Sequence, residues 1–249
     1  MVSKKERILI KMIYIALFSA LCFVGTIISI PIGTSKVHLG NFFCILAGLL
    51  CGGIVGGLAG SLGMGLNDLV FGYPYTSYIR TFIVKFLMGF IVGSLFRMLL
   101  KKETPKKILV PVCLVLTTIL YSYSIYLFVK NSDKQLLFIF SSILFAIVLF
   151  LTIISFKIKD ISKCLIFSLV VSVFVNVVGE FLLRILFLML AGGTYKSSVI
   201  TSIGKLPGAL LTSIVTIVLI TVLFFPIYKA TYRINKLDDL KPYFQNNKE

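Results

Sequence analysis

Long apolar runs broken by short polar stretches dominate the chain. The clear runs cover about 8–30, 79–100, 108–129, 136–156, 164–190 and 206–228. Each holds 21 residues or more, and a helix rising ~1.5 Å per residue then crosses the ~30 Å hydrocarbon core of a bilayer. The stretch 40–72 is less regular, because Gly48, Gly52, Gly53, Gly56, Gly57, Gly60, Gly63 and Gly65 punctuate it. It reads either as one helix with a loop or as two short helices turning at Gly52-Gly53. Two such helices would have ~16–20 residues each, the lower limit for a span. Gly56-x-x-x-Gly60 and Gly89-x-x-x-Gly93 have a packing reason: small residues let backbones approach where no hydrophobic force draws helices together. The opening Lys4-Lys5-Glu6-Arg7 with its apolar run resembles a signal peptide only at first. The run to Ile30 is too long for an h-region and lacks an A-x-A site, so it is expected to stay as the first span.

Charge placement decides between one helix and two over 40–72. Two helices make eight spans, with both termini on one side. That side then carries 17 of the 25 Lys and Arg, against 6 on the other, with Lys85 and Arg184 inside spans. Seven spans would turn the basic clusters 101–107 and 157–163 outward, against the preference of cytoplasmic loops for positive charge. The reading is an all-α integral membrane protein, eight spans, both termini cytoplasmic, and a short polar tail over 229–249.

Composition agrees. The 249 residues are 58% hydrophobic and 14% charged, and mean hydropathy is +1.04. Soluble domains average ~45–50% apolar and ~25% charged. A soluble enzyme, a nucleic-acid binder and a disordered chain are excluded as readings of the whole. The net charge of +16 sits between apolar runs, so topology accounts for it and no polyanion partner is implied. Cys22, Cys44, Cys51, Cys113 and Cys164 lack metal or redox spacing and read as small buried hydrophobes.

The informative residues are ionisable groups within spans, each costing ~2.5–3.5 kcal/mol at a helix centre. Asp68, Lys85, Glu180 and Arg184 qualify, with Asn67, Asn176 and His38 nearby in type. The topology places all four charges in the outer half of the bilayer, two acids against two bases. Asn176, Glu180 and Arg184 at i, i+4 and i+8 make one polar stripe on an apolar helix. Local alternatives stay open: Glu180 and Arg184 pairing only with each other, Asp68 at the headgroup level, Lys85 snorkelling outward. Together the four describe a neutral polar cavity open to the outside. His38, in the first outer loop, is expected to cap the next helix or face water.

No catalytic parts accompany this cavity. Glu180-x-x-x-Arg184 is similar to the glutamate–arginine motif of intramembrane CAAX-type proteases, but those need a second adjacent glutamate and more histidines, and the chain has one His. GxSxG, HExxH and GxxxxGK[ST] are absent, so no catalysis, metal, cofactor or nucleotide site is expected. Solute binding or transport remains.

Three stretches give the chain a family likeness. They are Ala16-Leu17-Phe18-Ser19-Ala20; His38-Leu39-Gly40-Asn41 through Gly60-Ser61-Leu62-Gly63-Met64-Gly65-Leu66-Asn67-Asp68-Leu69-Val70-Phe71-Gly72-Tyr73-Pro74 into Ile83-Val84-Lys85-Phe86-Leu87-Met88-Gly89; and Asn176-Val177-Val178-Gly179-Glu180 with Gly204-Lys205-Leu206-Pro207-Gly208. In these the chain resembles the substrate-binding S components of energy-coupling factor (ECF) vitamin transporters, of the riboflavin-type group. The resemblance implies a six-helix core over 8–100 and 164–228, with 108–157 an extra transmembrane hairpin. It implies a cell-membrane protein that captures a vitamin or related micronutrient from outside and passes it to a T subunit carrying two ATPases. Ala16 and Ala20 would form the small-residue face for the T subunit. Asn67, Asp68, Tyr73, Lys85, Asn176, Glu180 and Arg184 are the candidate substrate contacts. With Tyr73, Tyr75 and Tyr78 nearby, a compact aromatic or zwitterionic nutrient suits the cavity, and riboflavin, pyridoxine, pantothenate and a nucleobase-like precursor all fit. The alternative is a self-sufficient secondary transporter or channel, which inverted repeats or acids through the whole membrane depth would mark.

Overall fold

The computed structural model describes residues 4–32, 35–101, 109–130, 135–155, 157 and 159–231. The lysine-rich loop after residue 101, the 131–134 connection and the tail beyond 231 lie outside the described residues. The elements in order are α1 (Lys4–Ile27), β1 (Ser29–Ile32), β2 (Ser35–His38), α2 (Gly40–Cys51), α3 (Gly53–Val70), α4 (Tyr75–Lys101), α5 (Leu109–Lys130), α6 (Gln135–Ser155), α7 (Asp160–Leu190) and α8 (Tyr195–Thr231). All helices except α2 are long and apolar enough to cross a membrane. This is a multi-pass, all-α membrane protein.

The glycine-rich stretch folds as two helices, turning at Gly52 with φ at +106°, a conformation that needs glycine. α3 has 18 residues, within the expected length, but α2 has only 12, or about 18 Å of rise. The shortfall arises because the residues ahead of Gly40 go into a hairpin. β1 and β2 pair antiparallel with Ser29 opposite His38 and Ile32 opposite Ser35, and β2 packs against α8. The first span was expected to run to Ile30 and stops at Ile27 instead. The Ile28–Ile32 segment is apolar enough for a span, yet it is β-branched and carries Pro31, which suits an edge strand.

α2 sits at the centre, with 11 of its 12 residues buried. At its C-terminal end, where carbonyls run short of helical partners, Gly48 keeps the Gly52 N–H at 3.0 Å and further donors come from α4. Arg97 Nη1 donates to the Gly48 carbonyl at 3.0 Å and Nη2 to that of Leu50 at 3.2 Å, and its charge suits the negative end of the helix dipole. Three helices then touch backbone to backbone: a Cβ on Gly56 would strike the Gly48 backbone, and one on Gly89 would strike Gly56. The small-residue motifs read from the sequence lie at this three-way contact.

Helix directions follow from cross-helix bonds. Asp68 near the end of α3 is bonded to Ser77 and Thr81 near the start of α4. Arg80 of α4 meets Glu180 of α7, and Ser172 further back on α7 donates to the Met88 carbonyl at 2.7 Å. α4 is therefore antiparallel to both. α8 begins beside Glu180 and Arg184 and ends where Phe224 meets Phe96, rings 5.8 Å apart. The far ends of α4 and α8 thus lie together, remote from the polar cluster. α8 was expected to start near residue 206 and starts at Tyr195. Its first turn is exposed and Thr201, Ser202 and Lys205 after it line a cavity, so an apolar-run reading passes over both. Stacked rings join α5 to α6, Tyr121 with Phe145 at 5.0 Å and Phe128 with Phe138 at 4.9 Å; the pair packs on α7 and α8.

The three-way glycine contact leaves no room for a side chain. Gly56→Val and Gly89→Val are each expected to lower stability by about 1–3 kcal/mol through overpacking. Gly65→Ala, whose Cβ would meet Phe82 at an ordinary 3.6 Å, should be close to neutral. Thermal unfolding of the purified protein in lipid nanodiscs checks the contrast.

Candidate functional site

Polar side chains of α3, α4, α7 and α8 converge on a cavity of about 490 Å³, roofed in part by the hairpin. Its centre is the Glu180 carboxylate. Arg80 Nε lies 3.0 Å from Glu180 Oε2, Arg184 Nη2 3.3 Å from the same oxygen and Lys85 Nζ 3.4 Å from Oε1. Lys85 also donates to Asn176 Oδ1 at 2.6 Å. Helical geometry explains the convergence. Asn176, Glu180 and Arg184 share one face of α7; Ser77, Thr81 and Lys85 repeat the same four-residue spacing on α4, with Arg80 alongside.

A chain of bonds extends this centre to α3. Arg80 Nη2 donates to Ser77 Oγ at 3.1 Å, and Ser77 Oγ donates to Asp68 Oδ2 at 3.2 Å. Thr81 Oγ1 gives Asp68 a second bond at 2.6 Å. Asp68 is thus held by two hydroxyls at the end of α3. Asn67, buried, donates to the Phe23 carbonyl at 3.5 Å and lines the cavity. Tyr73 stands at the rim, where its hydroxyl accepts from Lys36 Nζ at 3.1 Å and so links hairpin to helix end.

All seven substrate-contact candidates line this one cavity. Tyr75 and Tyr78 do not; Tyr75 is exposed. The local Glu180–Arg184 pair exists, but as one of three ion pairs on the same carboxylate. Arg80 and Lys205, counted from the sequence as outer-side charges, both line the cavity, as do Lys36 and Asn41. The cavity is therefore not the neutral one that two acids and two bases would make. Arg80 could have been found by noticing that 77, 81 and 85 carry the same stripe as 176, 180 and 184. Asn41 gave no signal, being a single amide in an apolar run. It is 3% exposed and its Oδ1 has no hydrogen-bond partner. A buried acceptor left open costs free energy that a ligand donor would recover.

His38 Nδ1 accepts the Gly40 N–H at 3.2 Å, capping the start of α2. Burial, with the nearby Lys85 charge adding to it and Glu180 opposing, holds its imidazole down at about 4. Among the described residues no three His, Cys, Asp or Glu side chains gather as a metal would need. The five cysteines are separate, buried thiols. On α1, Phe18 and Cys22 face inward, whereas Ala16 and Ala20 lie on the exposed side with Met12, Ile13, Leu17 and Val24.

The sequence profile of the ECF-type riboflavin transporter, S component, matches residues 8–158. The match runs through α5 and α6 and ends before α7. No curated protein and no solved structure matches the chain.

Two outcomes follow from the site. Glu180 alone answers three cations, so Glu180→Gln should cost about 3–5 kcal/mol of apo stability by leaving buried charge uncompensated. Arg184→Gln relieves crowding around the same carboxylate and should cost about 1 kcal/mol or less; the two melting curves decide. A depressed histidine means that the unfolded chain binds the extra proton first. Stability contributed by neutral His38 is complete above its unfolded value of ~6.5 and is lost as pH falls toward about 4. His38→Asn keeps an acceptor for the Gly40 N–H, and the fall in melting temperature between pH 7 and pH 5 should shrink in that variant.

Proposed function

Because the chain belongs to the ECF-type riboflavin transporter S component family, the substrate-binding subunits of ECF importers, we propose that its cavity captures a vitamin or related micronutrient from outside the cell. The observation that carries this reading is a concave, partly roofed cavity holding buried charges and one open amide acceptor. Its volume lies within the ~300–1,000 Å³ typical of small-molecule sites. Asn67, Asp68, Tyr73, Lys85, Asn176, Glu180 and Arg184 are the proposed substrate contacts, with Arg80, Lys205 and Asn41 added.

The orientation has a physical basis. Helix ends that lead into the lysine-rich loops, around Lys101 and Lys157, are those remote from the cavity mouth, as is Lys229 near the end of α8. Positive charge collects on the cytoplasmic side, so both termini are cytoplasmic, the mouth faces out, and α2 makes the eighth passage with the hairpin extending it. The cavity takes one wall from α3 and α4 and the other from α7 and α8, with no residue of α5 or α6 in its lining. This supports a six-helix core over 8–100 and 164–228 with 108–157 as an added hairpin.

Release inward would depend on partners: a T subunit docking on the exposed Ala16–Ala20 face of α1, and two ATPases. Small residues on an outward face allow close helix approach without disturbing the fold. Ala16→Leu with Ala20→Leu should leave micronutrient-dependent stabilisation of the isolated protein intact. Copurification with a T subunit and cellular uptake should both fall. Accumulation of solute by proteoliposomes holding this chain alone would identify a self-sufficient transporter instead.

A further inference from the structure

The charges around the cavity do not balance. Lys36, Arg80, Lys85, Arg184 and Lys205 line it against only Asp68 and Glu180, a surplus of three positive charges with His38 neutral. Lys36 is exposed and screened by water. The surplus persists among the buried groups, where the side chains of Arg80, Lys85 and Arg184 are 10%, 6% and 21% exposed and share the single Glu180 carboxylate. The second carboxylate makes no direct ion pair with these cations: Asp68 takes its hydrogen bonds from the hydroxyls of Ser77 and Thr81 and acts on Arg184 as a more distant charge.

Buried cations in excess of their counter-ions are costly away from water. Among the described residues no third acid stands at this level, although α7 and α8 offer many apolar positions where one could stand. Donor capacity is in surplus too. Among the described residues Arg184 meets Glu180 through Nη2 alone, leaving most of the five donors of its planar fork uncommitted. A guanidinium fork matches the paired oxygens of a carboxylate or phosphate, and such bonds are the strong ones. On the opposite side of the charge ledger Asn41 Oδ1 stands ready to accept, not donate.

We infer that the physiological ligand of this cavity is a small organic anion: an oxyanion group set among Arg80, Lys85, Arg184 and Lys205, joined to a body that gives a hydrogen bond to Asn41. The inference rests on reading the cavity as the nutrient site and goes further by excluding an uncharged nutrient as its best-fitting occupant. Entry of the anion completes the neutralisation that Glu180 begins. The bound state is then the electrostatically satisfied one.

Matched probe pairs that differ only in the oxyanion test this on the full chain in nanodiscs, in low-salt buffer free of phosphate. Riboflavin against its 5′-phosphate examines phosphate; pantothenol against pantothenate and nicotinamide against nicotinate examine carboxylate. In at least one pair the anion should bind about tenfold or more tightly than its neutral twin, equivalent to one decade in Kd. Its affinity should weaken as salt rises. Arg184→Gln should bring the anion and its twin closer together, and a normal melting curve for that variant would show that the loss is one of recognition. Neutral twins that bind as well as or better than their anions would overturn the anion inference and leave the nutrient-binding function standing. Absence of stabilisation by every probe at millimolar concentration would overturn both.

Discussion

A carboxylate within a bilayer must find positive charge, and Glu180 finds three. Arg80 and Lys85 reach it from α4, and Arg184 from its own helix one turn on. This shared counter-ion ties α4 to α7, and through Arg80, Ser77 and Asp68 it ties both to the end of α3. The cavity walls are therefore joined by charge and hydroxyl bonds at one level, while the apolar faces below pack in the ordinary way. Such a network carries cost and position together. It holds the side chains that face the cavity, and it leaves the cluster short of negative charge.

Beneath it the architecture depends on absent side chains. α2, α3 and α4 come within backbone contact at Gly48, Gly56 and Gly89, and the buried end of α2 is answered by Arg97. A helix of 12 residues buried on all sides has little of its own to hold it, since isolated helices of that length are marginal. Its place is secured by glycine contacts along its length, by Arg97 at one end and by His38 at the other. The two end devices act on opposite poles of the dipole, one with a cation and one with a neutral acceptor.

Much of this was readable from the residues. Apolar runs located the long helices, and the glycine punctuation at 52 and 53 located the turn. The stripe at 176, 180 and 184 pointed to α7 as a cavity wall. What escaped reading had identifiable causes. Arg80 lies just inside an apolar run whose start looked like a loop, so its burial could not be inferred from hydropathy. The start of α8 is polar, exposed at its first turn and facing the cavity at Thr201, Ser202 and Lys205, and a span search discards such turns. The β-hairpin replaced the end of an expected helix because β-branched apolar residues satisfy either element, and only the packing of β2 on α8 decides between them. The charge surplus depends on which loop-edge cations turn inward, a three-dimensional property that no spacing rule contains.

The shortness of α2 has an electrical consequence. In the proposed orientation the helix beneath the cavity is about 18 Å long, against the ~30 Å of hydrocarbon found elsewhere. The resting potential falls mainly across what is insulating, so in that orientation a thinner floor would compress it and steepen the field there. A negatively charged occupant would reach the cavity having crossed little of the potential. Nearly all of the opposing work, about 2.3 kcal/mol per charge for each 100 mV, would then fall on the inward step alone.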